Sequence, residues 1–329
     1  MKKILMLTTG GTIASLPSEE GLAPAGADTL LAHMVPSAAN YQVTTEEILT
    51  LDSTNIQPEE WKIIANAVYR NVRRYDGIVV THGTDTMAYT ASMMSFMLRH
   101  VPIPVVFTGS QVPIVKPLSD APLNLSCALA MAASSTPGVF VAFDRKIMLG
   151  CRAVKVRTTA FDAFESVNYP YAGEVNSGGL SLNGAVIPPQ NGECVLEDGV
   201  DSDVYQLKLT PGANPKIVDL MIDAGCHGIV IEAFGIGGLQ FIRRDFVSKI
   251  EKAVEAGVPV VVCSQCLYER SDFSVYQVGQ KALAKGAIQG FDMTREAAVT
   301  KLMWALGRTR DLGEIRAIFR TNLAGEIAL

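Results

Sequence analysis

Histidine and cysteine are scarce in this chain, and what they fail to form narrows its chemistry. Four histidines (His33, His82, His100 and His227) are scattered through 329 residues with no second ligand at metal-binding spacing, so metal catalysis finds little support. Six cysteines (Cys127, Cys151, Cys194, Cys226, Cys263 and Cys266) sit mostly in apolar contexts and make no disulfide framework. Cys263-Ser264-Gln265-Cys266 has the spacing of a redox or zinc half-site, but no second cysteine pair or nearby histidine completes it. Reduced, mostly buried thiols in a cytoplasmic protein are the better reading. No apolar run approaches the roughly 20 residues of a membrane span. After Lys2-Lys3 the apolar stretch is only four residues, which predicts no signal peptide. A net charge of -5 without a Lys/Arg cluster argues against nucleic acid as a partner. With 48% hydrophobic and 19% charged residues, the composition is that of a globular protein rather than a disordered one.

Strand-like apolar runs alternate with helical stretches through the first half. Ile4–Leu7, Gly77–Val80, Pro104–Thr108 and Val139–Phe143 read as buried parallel strands. Helices are predicted over about 58–75, 86–99 and 124–134, the first announced by Pro58 and two acidic residues in its opening turn. Alternation of this kind predicts a mostly parallel sheet covered by helices. From about residue 145 the pieces become shorter and β-like. A second α/β series runs from 204 to the end. The expected organisation is an amino-terminal α/β catalytic domain over 1–187, a linker over 188–203 and a carboxy-terminal α/β domain over 204–329.

Two threonine-glycine segments stand out, Thr8-Thr9-Gly10-Gly11-Thr12-Ile13 and His82-Gly83-Thr84-Asp85-Thr86. Each follows a predicted strand, which puts its hydroxyls at the carboxyl edge of the sheet, where open α/β folds keep ligands. Thr12 after two glycines has two readings of equal weight. One is a nucleophile beside exposed N–H groups, the other an anion-binding loop. A threonine nucleophile needs a base, and no histidine stands out as one; His82 reads as a support for its loop. The remaining route is a carboxylate with a lysine, namely Asp85 and Lys155, where a partly buried lysine can act as a base. Composition alone makes Lys155 an ordinary surface lysine. Asp52-Ser53-Thr54 reads either as a turn and helix cap or as a polar wall facing a small zwitterion. Arg99-His100 and Arg243-Arg244 read as solvated helix ends, and Trp61, Trp304 and the Met-rich stretch 93–97 as core.

Taken together, the two segments resemble the signature motifs of the bacterial L-asparaginase family. The resemblance extends through Asp52-Ser53, Phe107-Thr108-Gly109-Ser110-Gln111, Phe161-Asp162-Ala163-Phe164-Glu165-Ser166 and Lys301-Leu302-Met303-Trp304, covering essentially the whole chain. It implies a two-domain fold, with a larger amino-terminal domain containing a left-handed crossover and a smaller, flavodoxin-like carboxy-terminal domain. It implies hydrolysis of L-asparagine to L-aspartate and ammonia. Thr12 would be the nucleophile, with Thr84, Asp85 and Lys155 as the second catalytic group. Asp52, Ser53, Thr54, Thr84 and Asp85 would hold the substrate. No metal or organic cofactor is implied, and the partner is a second copy of the chain, as a homodimer or homotetramer. The missing signal peptide points to the cytoplasmic, type I branch.

The chain also departs from that family. Many relatives carry a lid tyrosine where Leu22 stands here, and exported relatives an asparagine where Gly237-Gly238 stand. Cys266 matches a cysteine of an allosteric site in some cytoplasmic relatives, but Glu232 occupies the place of its arginine, so allostery does not carry over. Two rival readings are the asparaginase-like subunit of a tRNA-dependent amidotransferase and a non-catalytic amino-acid sensor. The first is weakened by a motif that begins at residue 8, the second by competent residues at all four catalytic positions.

Overall fold

A computed structural model describes residues 1–18, 21–24 and 40–328, with the side chains of 16–18 and 21–24 outside that description. The chain divides into two compact units, Met1–Asp198 and Gly199–Leu329.

The first unit is built on an eight-stranded sheet. Its parallel part comprises β1 (Lys2–Gly10), β4 (Tyr41–Leu51), β5 (Gly77–Thr81), β7 (Pro104–Thr108) and β8 (Gly138–Phe143), in the spatial order β8-β7-β5-β1-β4. Three antiparallel strands extend it beyond β8: β9 (Lys146–Leu149), β12 (Gly173–Asn176) and β13 (Gly179–Leu182). Short pairs make up the rest: β2 (Ser15–Ser18) with β3 (Gly21–Pro24), β6 (Leu98–Arg99) with β14 (Val195–Leu196), and β10 (Ala153–Lys155) with β11 (Phe164–Ser166). Strands β5, β7 and β8 are buried along their whole length, which is why they read as unbroken apolar runs. By contrast β4, on the sheet edge, mixes half-buried with exposed residues, and its Thr44-Thr45-Glu46-Glu47 stretch hid it from the sequence reading.

Helix α1 (Pro58–Asn71) opens with a reciprocal cap in which Glu60 Oε2 accepts from the Gln57 amide at 2.8 Å. It buries Trp61, Ile64, Ala65 and Val68, and the Trp61 indole donates to Thr90 Oγ1 at 3.0 Å. Thr90 lies on α2 (Met87–Met97), whose methionines are buried as core. Helix α3 spans Ala121–Ala132, three residues earlier than its predicted start, because Pro122 is accommodated in the first turn. Arg99-His100 is no helix end: Arg99 belongs to β6 and His100 takes a left-handed φ of 54°. The stretch read as a linker is not uniform, since Val195 and Leu196 pair with Arg99 and Leu98 inside the first unit.

In the second unit four parallel strands lie in sequence order: β15 (Val204–Lys208), β16 (Gly228–Ala233), β17 (Val260–Ser264) and β18 (Ile288–Gln289). The helices are α4 (Lys216–Asp223), α5 (Phe246–Glu255), α6 (Gln277–Ala284), α7 (Arg295–Leu306) and α8 (Leu312–Arg320). Val218, Ile231, Phe246, Ile250, Val262 and Phe273 form part of its core. A buried ion pair ties the chain end to α7. Lys301 Nζ meets Glu326 Oε1 and donates to the Thr321 carbonyl at 2.8 Å, while Glu326 also accepts from the amides of Leu323 and Ala324. Five of the cysteines are buried and only Cys266 is exposed; burial pushes the Cys263 thiol up to about 12. Among the described residues, no helix is long and apolar enough to cross a membrane.

Candidate active site

Three loops meet at the carboxyl edge of the neighbouring strands β4, β1 and β5. The first turns at Gly10 and Gly11, with φ of 99° and 80°, values a side-chain-bearing residue rarely adopts. Space makes the same demand. A Cβ on Gly10 would lie 2.5 Å from the Leu51 carbonyl oxygen, and one on Gly11 would lie 2.4 Å from the Gly83 nitrogen. The Gly11 amide donates to the Leu51 carbonyl at 3.0 Å. Thr12 comes next, half-buried, and opens a single 3-10 turn through Ala14.

The second loop follows β4. Asp52 caps the 3-10 turn Ser53–Asn55, its Oδ1 accepting from Thr54 N at 2.8 Å and Thr54 Oγ1 at 2.6 Å. Those bonds, the hydroxyl's first, hold the Asp52 carboxyl below its ordinary range. Ser53 is buried and reaches the third loop: its hydroxyl accepts from Asp85 N at 3.3 Å and its carbonyl from the Thr86 hydroxyl at 2.6 Å. Asp52 and Thr54 thus direct these bonds to each other, and Ser53 makes the link between loops.

The third loop carries Thr84 and Asp85. Thr84 is buried, and its Oγ1 accepts from Lys155 Nζ at 2.7 Å. The same ammonium lies 2.6 Å from Asp85 Oδ1. Lys155 is no ordinary surface lysine: its side chain is 17% exposed against 57% for Asp85. It ends β10, where antiparallel pairing places it opposite Phe164. His82 is fully buried, and burial pulls its pKa down to about 4. It is therefore neutral at pH 7. Its Nδ1 faces the Gly83 carbonyl at 2.7 Å, and since that oxygen can only accept, Nδ1 carries the proton. Nε2 is buried without a partner among the described residues. His82 supports the loop, as its position suggests.

Thr84, Asp85, Lys155 and Ser53 therefore form one constellation, and Thr12 stands on the loop whose Gly11 abuts Gly83. The side chain of Leu22 lies outside the described residues. One neighbour that sequence reasoning named only within a motif is Gln111, whose Oε1 accepts from Thr84 Oγ1 at 3.2 Å.

Hydroxyls, one carboxylate and one ammonium are groups suited to acyl transfer. In the second unit Asp201, Asp203 and His227 could converge on an ion. There the Arg310 guanidinium bonds Asp201 and approaches His227 Nδ1 at 3.3 Å, so a cation already serves the cluster.

Comparison with known proteins agrees with this architecture. Residues 3–187 match the model of the asparaginase N-terminal domain and 203–319 that of the glutaminase/asparaginase C-terminal domain. The chain belongs to the asparaginase family. It is 46% identical over 329 residues to an L-asparaginase from Thermococcus kodakarensis, covering 99% of both chains. The solved structure of the thermostable enzyme from that organism superposes with a TM-score of 0.94 over 99% of both chains. L-asparaginase I from Vibrio cholerae, 32% identical, gives a TM-score of 0.90 over 100% of this chain and 99% of that one. The chain is also 38% identical to a glutamyl-tRNA(Gln) amidotransferase component from Pyrococcus abyssi, covering 99% of itself and 77% of that protein. These relatives are archaeal and bacterial, so they show the family without assigning the chain to its bacterial members.

Proposed function

We infer that this protein is an L-asparaginase, hydrolysing L-asparagine to L-aspartate and ammonia. The observation that carries the reading is the placement of Lys155 Nζ, 2.7 Å from Thr84 Oγ1 and 2.6 Å from Asp85 Oδ1, beside the loop that bears Thr12.

In this reading the Thr12 oxygen attacks the side-chain amide carbon of asparagine. Its proton passes to the Thr84 oxygen while the Thr84 hydroxyl proton passes to Lys155, which acts in this step as the free amine. Collapse breaks the C–N bond, and the departing nitrogen takes a proton and leaves as ammonia. Water then attacks the Thr12 ester, yields its proton to the same pair, and releases aspartate with the Thr12 hydroxyl restored. Asp85, with more than half of its side chain exposed, attracts the α-ammonium, and the Asp52-Ser53-Thr54 turn lines the α-carboxylate end. Ser53 supports this assignment, since it bonds both the Asp85 amide and the Thr86 hydroxyl. The enzyme acts without a cofactor and as a homo-oligomer.

The likeness to the amidotransferase component favours one alternative, release of ammonia for a tRNA-bound substrate. Ammonia release from free asparagine, free glutamine and glutamyl-tRNA with the remaining amidotransferase components separates the two. Turnover of free asparagine, lost by at least about 10³-fold in Thr12→Ala, supports the asparaginase reading. Release only in the presence of the tRNA system overturns it.

A further inference from the structure

Thr86 stands where a threonine ordinarily caps a helix: it is the N-cap residue of α2. A threonine there usually accepts a hydrogen bond from an amide of the first turn, satisfying one of the open N–H groups. Thr86 makes no such bond. Its hydroxyl donates instead to the Ser53 carbonyl oxygen, at 2.6 Å and 33 positions away in sequence. A side chain that leaves its own helix uncapped to bond another loop is a local rule broken beside the site, where such departures serve function.

That bond completes a clamp on the turn after β4. The Ser53 carbonyl also accepts from Ile56 N at 3.1 Å, so both of its lone pairs are used. The N–H of the same peptide, on Thr54, is held by Asp52 Oδ1 at 2.8 Å. The plane of the Ser53–Thr54 peptide is thereby fixed from both edges. On the other side of Ser53, Oγ accepts from Asp85 N at 3.3 Å. Gly83 lies close against it, since a Cβ there would fall 2.6 Å from Ser53 Oγ. Of the two hydrogen bonds that join the loops, the one from Thr86 is the shorter.

The two loops joined in this way are the two that receive the charged ends of the substrate in the reading above. An α-amino acid carries its ammonium and its carboxylate on one carbon, so the separation of the two charges is set. A site that binds both must keep Asp85 and the Ser53 turn at one spacing. We propose that Thr86 is a positioning residue for substrate binding, its hydroxyl fixing the distance between the ammonium-binding Asp85 and the carboxylate-binding turn at Ser53. This rests on the asparaginase reading. The bond lies apart from Lys155, which meets Thr84 Oγ1 and Asp85 Oδ1, so its loss acts on KM and spares kcat. An amide carrying only one of the two charges needs no fixed spacing and is indifferent to the Thr86 hydroxyl.

The test uses the full-length protein, read as ammonia release from asparagine, with melting curves to verify folding. Thr86→Val keeps the shape of the side chain and removes the donor. It should raise KM for asparagine about 5- to 30-fold and change kcat less than about twofold. Thr86→Ser, which keeps the hydroxyl, should return KM to within about twofold of the wild type. Two amides that lack one charge serve as inhibitors of the same reaction: succinamate, without the ammonium, and 3-aminopropanamide, without the carboxylate. Their inhibition constants should move less than about twofold in Thr86→Val. Thr86→Ala replaces Thr86→Val if that variant does not fold. An unchanged KM in Thr86→Val, a loss in kcat rather than in KM, or a KM that Thr86→Ser does not restore overturns the role of Thr86 and leaves the asparaginase reading intact. Equal weakening of asparagine and both inhibitors, the mark of general damage to the site, overturns it too. A wild type inactive on free asparagine overturns the reading itself.

Discussion

Gly11 and Gly83 touch backbone to backbone: a Cβ on Gly11 would lie 2.4 Å from the Gly83 nitrogen and 2.5 Å from its Cα. The contact joins the loop bearing Thr12 to the loop bearing Thr84 and Asp85. Gly11→Ala meets both a rigid backbone and a φ of 80°, so it should cost at least about 100-fold in activity and lower the melting temperature. A Cβ on Gly83 meets chiefly the Ser53 side chain, at 2.6 Å from its Oγ. Gly83→Ala should therefore be milder and should act mainly on KM. Steady-state kinetics with thermal melts check both.

Lys155→Met should reduce turnover about 10³-fold or more while leaving the circular-dichroism spectrum intact. Asp85, its ion-pair partner, has a side chain 57% exposed, so the pair contributes at most about 1 kcal/mol to stability. A spectrum that collapses would make the role of Lys155 structural.

His82 gives stability an acid-side slope. Burial lowers its pKa from 6.5 to about 4 in the folded chain. Between these values the unfolded chain binds the proton and the folded chain does not, so stability falls as pH drops from 6.5 to about 4 and the loss levels off below. The full span is about 3 kcal/mol. His82→Asn, which cannot titrate, should lack this component, and urea unfolding at pH 7, 5.5 and 4.5 measures the difference in slope.

The Lys301–Glu326 pair has neither side chain exposed. Lys301→Met strands a buried carboxylate and should cost about 3–5 kcal/mol. Lys301→Met with Glu326→Gln removes both charges and should recover part of that loss. Denaturant unfolding of the single and double variants is the measurement, and an unchanged midpoint in Lys301→Met would contradict it.

Much of the architecture was legible because burial on both faces leaves a plain mark: Ile78-Val79-Val80 and Val105-Val106-Phe107 admit no polar residue. Edges left weaker marks. Tyr41–Leu51 is an edge strand with polar side chains, and Leu98–Arg99 takes its strand character from a partner nearly a hundred residues away, at Val195–Leu196. Helix α3 began earlier than its pattern because proline is tolerated in a first turn. At the site, local motifs exposed Thr12, Thr84 and Asp85. What residue spacing could not show was that Lys155 meets Thr84 across 71 positions, or that Gln111 meets it across 27. Those meetings are made by the sheet, which sets the ends of distant strands side by side.

The burial of the cysteines has a practical side. Five thiols are enclosed by the fold, with burial pushing that of Cys263 up to about 12, whereas Cys266, three residues on, lies open. A maleimide or a spin label added to the native protein thus has a single address, and a dye placed there would report on the carboxy-terminal unit without any engineered cysteine.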